Sequence, residues 1–304
     1  MRQSGVAVGL LAVVALSGSA GAGVLMDYNL VVLGNLTSTS EVEGRTFVGG
    51  NLGGPSSTYG TMLTPASNWL GVDVLSVAGN INVANQINLN AGNLRRGGSR
   101  SGGLNLNGGG QEIVDPSLPL LVPGIAAELN SASQYLGALT ADSSVTLPGG
   151  QPGPAVFNGT PGADGIAVFN ISGAALFQSG LVQQIELNTG GASQIVVNVS
   201  GTSINWNTGN MVGNWLLQSV RANTIWNFFE ATSLTFDRNF NGAVLAPLAH
   251  LTNTTAIDGS VFVGSMTANG EVHLPNYTGL IPAPGSVGVL VAGGLLAARR
   301  RRVA

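Results

Sequence analysis

Alternation of aliphatic and polar residues is the main texture of this chain. Ile81-Asn82-Val83, Ile87-Asn88-Leu89-Asn90 and Leu104-Asn105-Leu106-Asn107 put an aliphatic at every second position with asparagine between. Period two sends the aliphatics to one sheet face and the asparagines to the other. Farther along, β runs at residues 156–158, 166–171, 181–187, 193–200 and 203–206 are separated by Gly, Asn or Thr. Ile195-Val196-Val197-Asn198-Val199-Ser200-Gly201-Thr202 is the most hydrophobic of these and predicts a central strand. One segment departs from period two. Residues 124–139 carry Ile125, Leu129, Ala132, Leu136 and Leu139 at helical spacings after Pro119 and Pro123. That spacing predicts an amphipathic helix with Glu128 on its solvated side, packed across a sheet face or capping an open end.

Two repetitions organise the strands. A turn signature recurs as Leu33-Gly34-Asn35-Leu36, Gly49-Gly50-Asn51-Leu52, Ala78-Gly79-Asn80-Ile81 and Ala91-Gly92-Asn93-Leu94. Gly and Asn tolerate the left-handed conformation, so each pair is expected to bend the chain. A longer module, Glu43-Gly44-Arg45-Thr46-Phe47-Val48-Gly49, resembles Asn241-Gly242-Ala243-Val244-Leu245-Ala246-Pro247 and Asp258-Gly259-Ser260-Val261-Phe262-Val263-Gly264, the last two offset by 17 residues. Short, similar strands at irregular spacing predict a mainly β fold, a β-solenoid with the helix packed on it or capping it. An antiparallel β-sandwich is the alternative, because the pattern does not encode strand direction. Residues 91–110, with Arg95, Arg96, Arg100 and eight glycines, read as a solvated loop, with a small anion-binding patch as the alternative.

Composition narrows the function. All 11 basic residues are arginine; Arg2 and Arg299 to Arg302 lie at the ends, leaving 6 against all 14 acids in residues 23–281, a net charge of −8. That sign argues against nucleic acid, which needs a basic footprint. The absence of cysteine removes disulfides, thiol catalysis and thiolate metal sites, so core and hydrogen-bond ladder must supply stability. Forty-six glycines without a three-residue period exclude collagen and indicate a turn-dense β protein.

The two ends read as processing signals. Arg2, an apolar stretch at residues 6–16 and the small-residue site Ala20-Gly21-Ala22 form a secretory signal peptide over residues 1–22, cut by signal peptidase after Ala22; a retained signal anchor is the alternative. Pro282, Ala283, Pro284 and Gly285 precede an apolar segment and Arg299, Arg300, Arg301 and Arg302. Gly285 to Ala298 is 14 residues, about 21 Å as a helix against a hydrocarbon core of roughly 30 Å, and the arginines fix its orientation. A segment this short suits one that is held in the membrane and then cut; a terminal helix of the globular domain is the alternative. This tail over 282–304 resembles the PEP-CTERM sorting signal of exported bacterial proteins, with Ala283 where the acidic residue normally stands. The resemblance implies an exosortase-like transpeptidase as partner.

Thr224-Ile225-Trp226-Asn227-Phe228-Phe229-Glu230-Ala231-Thr232 followed by Gly242-Ala243-Val244-Leu245-Ala246-Pro247, and Asp27-Tyr28-Asn29-Leu30-Val31-Val32-Leu33-Gly34-Asn35-Leu36 leading into Val42-Glu43-Gly44-Arg45, resemble the choice-of-anchor A domain of bacterial surfaces. The resemblance spans most of residues 27–280 and implies an adhesin with a β-helical body and no established reaction. From the residues alone, Trp226 and Phe228 share one side of a strand and pack the core. Asn227 and Glu230 lie elsewhere and bond a neighbouring coil, in preference to a ligand.

Catalytic and metal candidates are sparse. Glu41 and Glu43 share a face as a solvated pair, and Asp237-Arg238 reads as a surface ion pair. His250 and His273 both fall in the C-terminal module with no motif joining them to acids. Calcium is the least unsuited metal, through Asp258 or Asp164, without the acidic spacing of a calcium solenoid. An ice-binding face needs regular Thr-x-Thr ranks, and Thr37-Ser38-Thr39 and Thr252-Asn253-Thr254 are too few. The resulting expectation is a non-enzymatic protein without cofactor or resident metal. It is exported, transiently anchored in the cytoplasmic membrane, and displayed on the envelope or in the extracellular matrix. There it works in adhesion or structure through an Asn, Ser and Thr face that bonds glycans. A β-helical polysaccharide lyase or hydrolase is the alternative. Three or more carboxylates converging with an arginine in one groove favour the enzyme; dispersed acids and a long polar face favour adhesion.

Overall fold

The computed structural model describes residues 23–279 and 281. The secretion signal with Ala20 and Ala22, and the tail from Pro282, Ala283, Pro284 and Gly285 to Arg299, Arg300, Arg301 and Arg302, lie outside them. Among the described residues no helix is long and apolar enough to cross a membrane.

The fold is mainly β, with 20 strands hydrogen-bonded into one sheet and four into another. Within the large sheet the strands pair in parallel, which removes the antiparallel sandwich. Antiparallel pairing occurs in the small sheet, where Ser144–Thr146 meets Gly153–Asn158. One ladder can be followed residue by residue through Ile113, Arg95, Ser76, Phe47, Val31, Phe262, Leu245, Asn227, Asn198 and Asn170. The order shows how the chain travels. It starts mid-ladder at Leu30–Val32, runs out to Glu112–Val114, crosses back by a helix, and resumes at Ile166–Ser172. It then returns inward until Val261–Ala268 pairs with Leu30–Val32. Both ends of the body are thereby tied into the middle of the sheet, and most pairing is non-local.

The helix spans Val122–Gly137, close to its predicted bounds, with Leu129, Ala132, Ser133 and Leu136 buried. It covers the outer face of this first ladder, against Val31, Phe47, Val196, Ile225, Leu245 and Phe262. Strands under it are therefore buried on both sides. That is why Gln194–Ser200 reads as a nearly unbroken apolar run, and it is central as expected, paired on both edges. Where no helix covers the sheet, alternation returns: Ser203–Trp206 and Ser233–Phe236 bury every second residue.

The 17-residue offset is one step of the ladder, since Asn241 pairs Asp258 and Val244 pairs Val261. Thr46 and Val261 both pair Leu30, so all three copies of the module stack in register. The Gly-Asn corners stack too, for a different reason than expected. Gly34, Gly50 and Gly79 have no positive φ. A Cβ on Gly50 would sit 2.6 Å from the Gly34 carbonyl carbon, and one on Gly79 2.6 Å from the Gly50 carbonyl oxygen. Close approach of neighbouring corners excludes a side chain there. Each asparagine then accepts a backbone N–H from the next corner: Asn51 N to Asn35 Oδ1, Asn80 N to Asn51 Oδ1 and Ser99 N to Asn80 Oδ1, all 2.8 Å. Gly92, at φ 60°, is the corner that does need the left-handed region.

Residues 91–110 are not a loop. Asn93–Arg96 and Arg100–Leu106 are strands near the outer end of the sheet, paired with Asp73–Val77 and Ile81–Leu89. Arg96 registers with Val77, Arg100 with Ile81 and Glu112 with Leu94, so charges stand where inner positions hold core aliphatics. Glu112 bonds both Arg96 and Arg100, and Arg95 bonds Asp73 and Asp115. The Arg100 guanidinium, with Arg96, holds the Glu112 carboxyl down to about 2 against the opposing effect of burial. These ion pairs end the apolar column and blunt an open sheet edge. They also occupy the guanidiniums that the anion-patch alternative required.

At the other end the core is aromatic. Trp226 lies within 5.1–5.7 Å, ring to ring, of Trp215, Phe240 and Phe157. Phe177, in the short helix Gly173–Phe177, packs on Trp206, Trp226, Phe228 and Phe240.

Candidate functional site

The ladder next to the helix-covered one leaves its outer side uncovered. It stacks Ser203–Trp206, Ser233–Phe236, the second halves of Ala243–Asn253 and Val261–Ala268, Leu36–Ser38, and the first parts of Leu52–Tyr59, Ile81–Leu89 and Arg100–Leu106. Inward residues such as Leu234, Leu251, Met266, Leu36 and Ile81 are buried. The residues between them point outward and form one registered row: Asn205, Thr235, Thr252, Thr267, Thr37, Gly53, Asn82 and Ser101. Beside it runs a second row of Ser203, Ser233, His250 and Ser265. Residues within a row recur about every 4.8 Å across the strands, and the two rows lie roughly 6.7 Å apart along them. The result is a grid of hydroxyls and amides with no carboxylate, arginine or lysine in either row.

Thr37 and Thr252, noted in the sequence, do meet in this row; Thr235 and Thr267 join them there. Counting Thr-x-Thr motifs along the chain missed them, because the rank forms across strands, with one residue from each. The middle residues of the two motifs, Ser38 and Asn253, are buried.

The other candidates are distributed elsewhere. His250 and His273 do not meet. His250 is exposed in the second row, its Nδ1 2.8 Å from Ser265 Oγ and its Nε2 3.2 Å from Thr267 Oγ1. His273 sits between Asp258, at 2.7 Å, and Glu271, at 2.6 Å, with Arg221 3.3 Å from Asp258. Burial pulls the His273 imidazole down, but Glu271 and Asp258 together outweigh it and hold it above the ordinary histidine value. Glu43 is part of that neighbourhood, accepting the Leu274 N–H at 2.6 Å, so it is not a solvated partner of exposed Glu41. Carboxylates and an arginine do gather here, but they are engaged with one another, His273 and backbone. A half-open cavity of about 360 Å³ lies against Thr189, Ser193, Asn214, Leu217, Ser219 and Asn223, and none of these carboxylates lines it.

Asp237-Arg238 is not an ion pair: Asp237 accepts the Thr254 hydroxyl, and Arg238 donates to Gly209 O and Asn210 Oδ1. Asp164 accepts the Ile166 N–H within its own turn. Among the described residues no group of three or more His, Asp or Glu is placed to hold a metal ion. Asn227 and Glu230 bond neighbouring segments: Asn227 bonds Asn198 on the adjacent strand and the helix at Ser133, and Glu230 accepts the Gly201 N–H at 2.6 Å.

The described body is thus a mainly parallel β fold with one uncovered grid of hydroxyls and amides. A family model described as "Putative Ice-binding-like adhesive domain" matches residues 21–274, and the chain belongs to that family. None of the curated proteins matches. Among solved structures, an ice-binding protein from the Antarctic ascomycete Antarctomyces psychrotrophicus is similar over 83% of this chain and 96% of that one, at 15% identity and a TM-score of 0.30, too loose a likeness to argue from.

Proposed function

We propose that this protein is an exported surface adhesin whose β-solenoid body holds the Thr, Ser and Asn rows against an ordered, hydroxyl-rich surface such as an insoluble glycan. The observation that carries this reading is the registered row from Asn205 to Ser101, with the Ser203 to Ser265 row beside it. A rigid parallel ladder fixes donors and acceptors at a constant spacing. Contacts that are weak singly then add along the row, without the ordering cost that a flexible surface incurs.

Thr267→Tyr tests the face. Its side chain points outward and tyrosine suits a strand, so the body is expected to fold while the ring holds a flat ligand away. Binding to insoluble polysaccharide beads should fall at least about tenfold, as for a central contact residue. Asn105→Tyr, on another face, should leave it unchanged. Equal binding by Thr267→Tyr and the unaltered protein would sink the assignment.

Adsorption to ice is a second reading, favoured by four consecutive threonines in the row and by the family's description. Partition into a growing ice front, with the same two variants, separates it from glycan adhesion.

Display rests on the ends of the chain. Signal peptidase would remove residues 1–22, and an exosortase-like transpeptidase would act at Pro282-Ala283-Pro284-Gly285, in keeping with the resemblances to choice-of-anchor A and PEP-CTERM proteins. Intact mass of the protein recovered from envelope and medium is expected to correspond to a chain from near Gly23 to near Gly285. A species retaining Arg299 to Arg302 would instead mark the tail as a permanent anchor.

A further inference from the structure

We propose that His250 is a charge switch within the polar rows, and that its protonation gives the face affinity for acidic, carboxylate-bearing polysaccharides. The inference rests on the adhesive role of this face and adds its ligand class and pH response.

His250 is exposed and lies beside the threonine row, with Ser233 on one side and Ser265 on the other. Its neighbours from Ser233–Phe236 are Ser233 and Thr235, and those from Val261–Ala268 are Ser265 and Thr267; none of these ionises. The acids that flank the Ser233–Phe236 strand are committed elsewhere, Glu230 to the Gly201 N–H and Asp237 to the Thr254 hydroxyl. Among the described residues no arginine competes for the role. Arg45 lies over the Tyr28 ring and bonds Asp73 and Asp27 carbonyls, Arg238 bonds Gly209 and Asn210, and Arg95, Arg96, Arg100 and Arg221 are in ion pairs. His250 is therefore the titratable group that can place a cation in these rows.

Protonation changes hydrogen-bond polarity as well as charge. A neutral imidazole has one N–H and one bare nitrogen, so of Ser265 Oγ and Thr267 Oγ1 one accepts from the ring and the other donates to it. In the imidazolium both nitrogens donate, and both hydroxyls must accept. The hydroxyl that had donated to the ring turns its proton outward, where it can donate to a carboxylate. A body with net charge −8 over residues 23–281 otherwise repels a polyanion, so this local gain would decide whether one binds.

The test compares the unaltered protein, His250→Gln and Thr267→Tyr on insoluble polyuronate beads and on neutral polysaccharide beads, at about pH 5.5 and about pH 8. Polyuronate binding by the unaltered protein should strengthen about fivefold at the lower pH, the gain from one cationic side chain at an anionic surface. Added salt should weaken that gain, and neutral beads should show little change. His250→Gln should bind polyuronate equally at both pH values, whatever its absolute affinity for either matrix. Absence of the pH response, or an equal response in His250→Gln (which retains His273), overturns the switch. If Thr267→Tyr binds both beads as well as the unaltered protein, the adhesive assignment of the face falls instead. If neither matrix binds at any pH, both fall. Titration of the His250 ring followed by NMR gives an independent reading: a soluble oligouronate should shift its resonance at low pH only.

Discussion

Trp226→Ala is expected to destabilise the body by about 3–5 kcal/mol, the cost of removing a large aromatic from a packed interior. The side chain is fully buried, and its rings lie near Trp215, Phe240, Phe157 and Phe177. Its Nε1 also donates to Asn241 O at 3.0 Å, binding its strand to the next segment. The surrounding rings are held on different strands and short helices and cannot all move into the space left, so most of the cavity cost should persist. Urea titration followed by far-UV circular dichroism measures the effect. Trp226→Phe refills part of the space and should cost less; equal midpoints for the two variants would show that the cluster is not packed as described.

Asn227→Ala is the second large effect, expected at about 2–4 kcal/mol because it strands buried partners. Asn227 points to the opposite side of the same strand, under the helix. Its Nδ2 donates to Ser133 O and Asn198 Oδ1, each at 2.9 Å, and its Oδ1 accepts from Ser133 Oγ at 2.7 Å. Asn198 in turn donates to Leu136 O and Asn170 Oδ1. This amide chain pins the helix Val122–Gly137 to three successive strands at one register. Losing it should speed amide exchange in the helix before the rest of the body. Ser133→Ala combined with Asn227→Ala should cost clearly less than the two added, since the hydroxyl is then no longer left alone. Simple additivity, or unchanged helix exchange, would argue that apolar packing alone seats the helix.

Trp226 and Asn227 together show why part of this fold could be read from the chain. Their opposite destinations follow from period two, and each has a partner chemistry suited to only one side. The helix was legible for a similar reason: Leu129, Ala132 and Leu136 recur at the spacing of a helix face and of no strand. The stacked module was legible because one ladder step returned Gly-x-Val-Phe-Val-type residues to the same place, 17 residues on.

What the pattern hid was everything set by contact between distant segments. Arg95, Arg96 and Arg100, among eight glycines, look like loop residues, since nothing local shows that Asp73, Glu112 and Asp115 neutralise them. Gly50 and Gly79 look like turn glycines; their small size matters because the backbone of Gly34 and of Gly50 approaches them. The polar row is the clearest case. Thr252 comes beside Thr235 through the pairing of successive strands, and Thr37 beside Thr267 only once the N-terminal strands dock on Val261–Ala268.

The sequence by itself determined which residues turn inward, where the helix lies and how the module repeats, because side-chain periodicity is a local property of backbone geometry. Only the tertiary structure decided that the strands of the large sheet are parallel, which strands are neighbours and which outward residues form a surface. Register is a relation between segments, and a chain's local pattern is the same whichever segment it comes to lie beside.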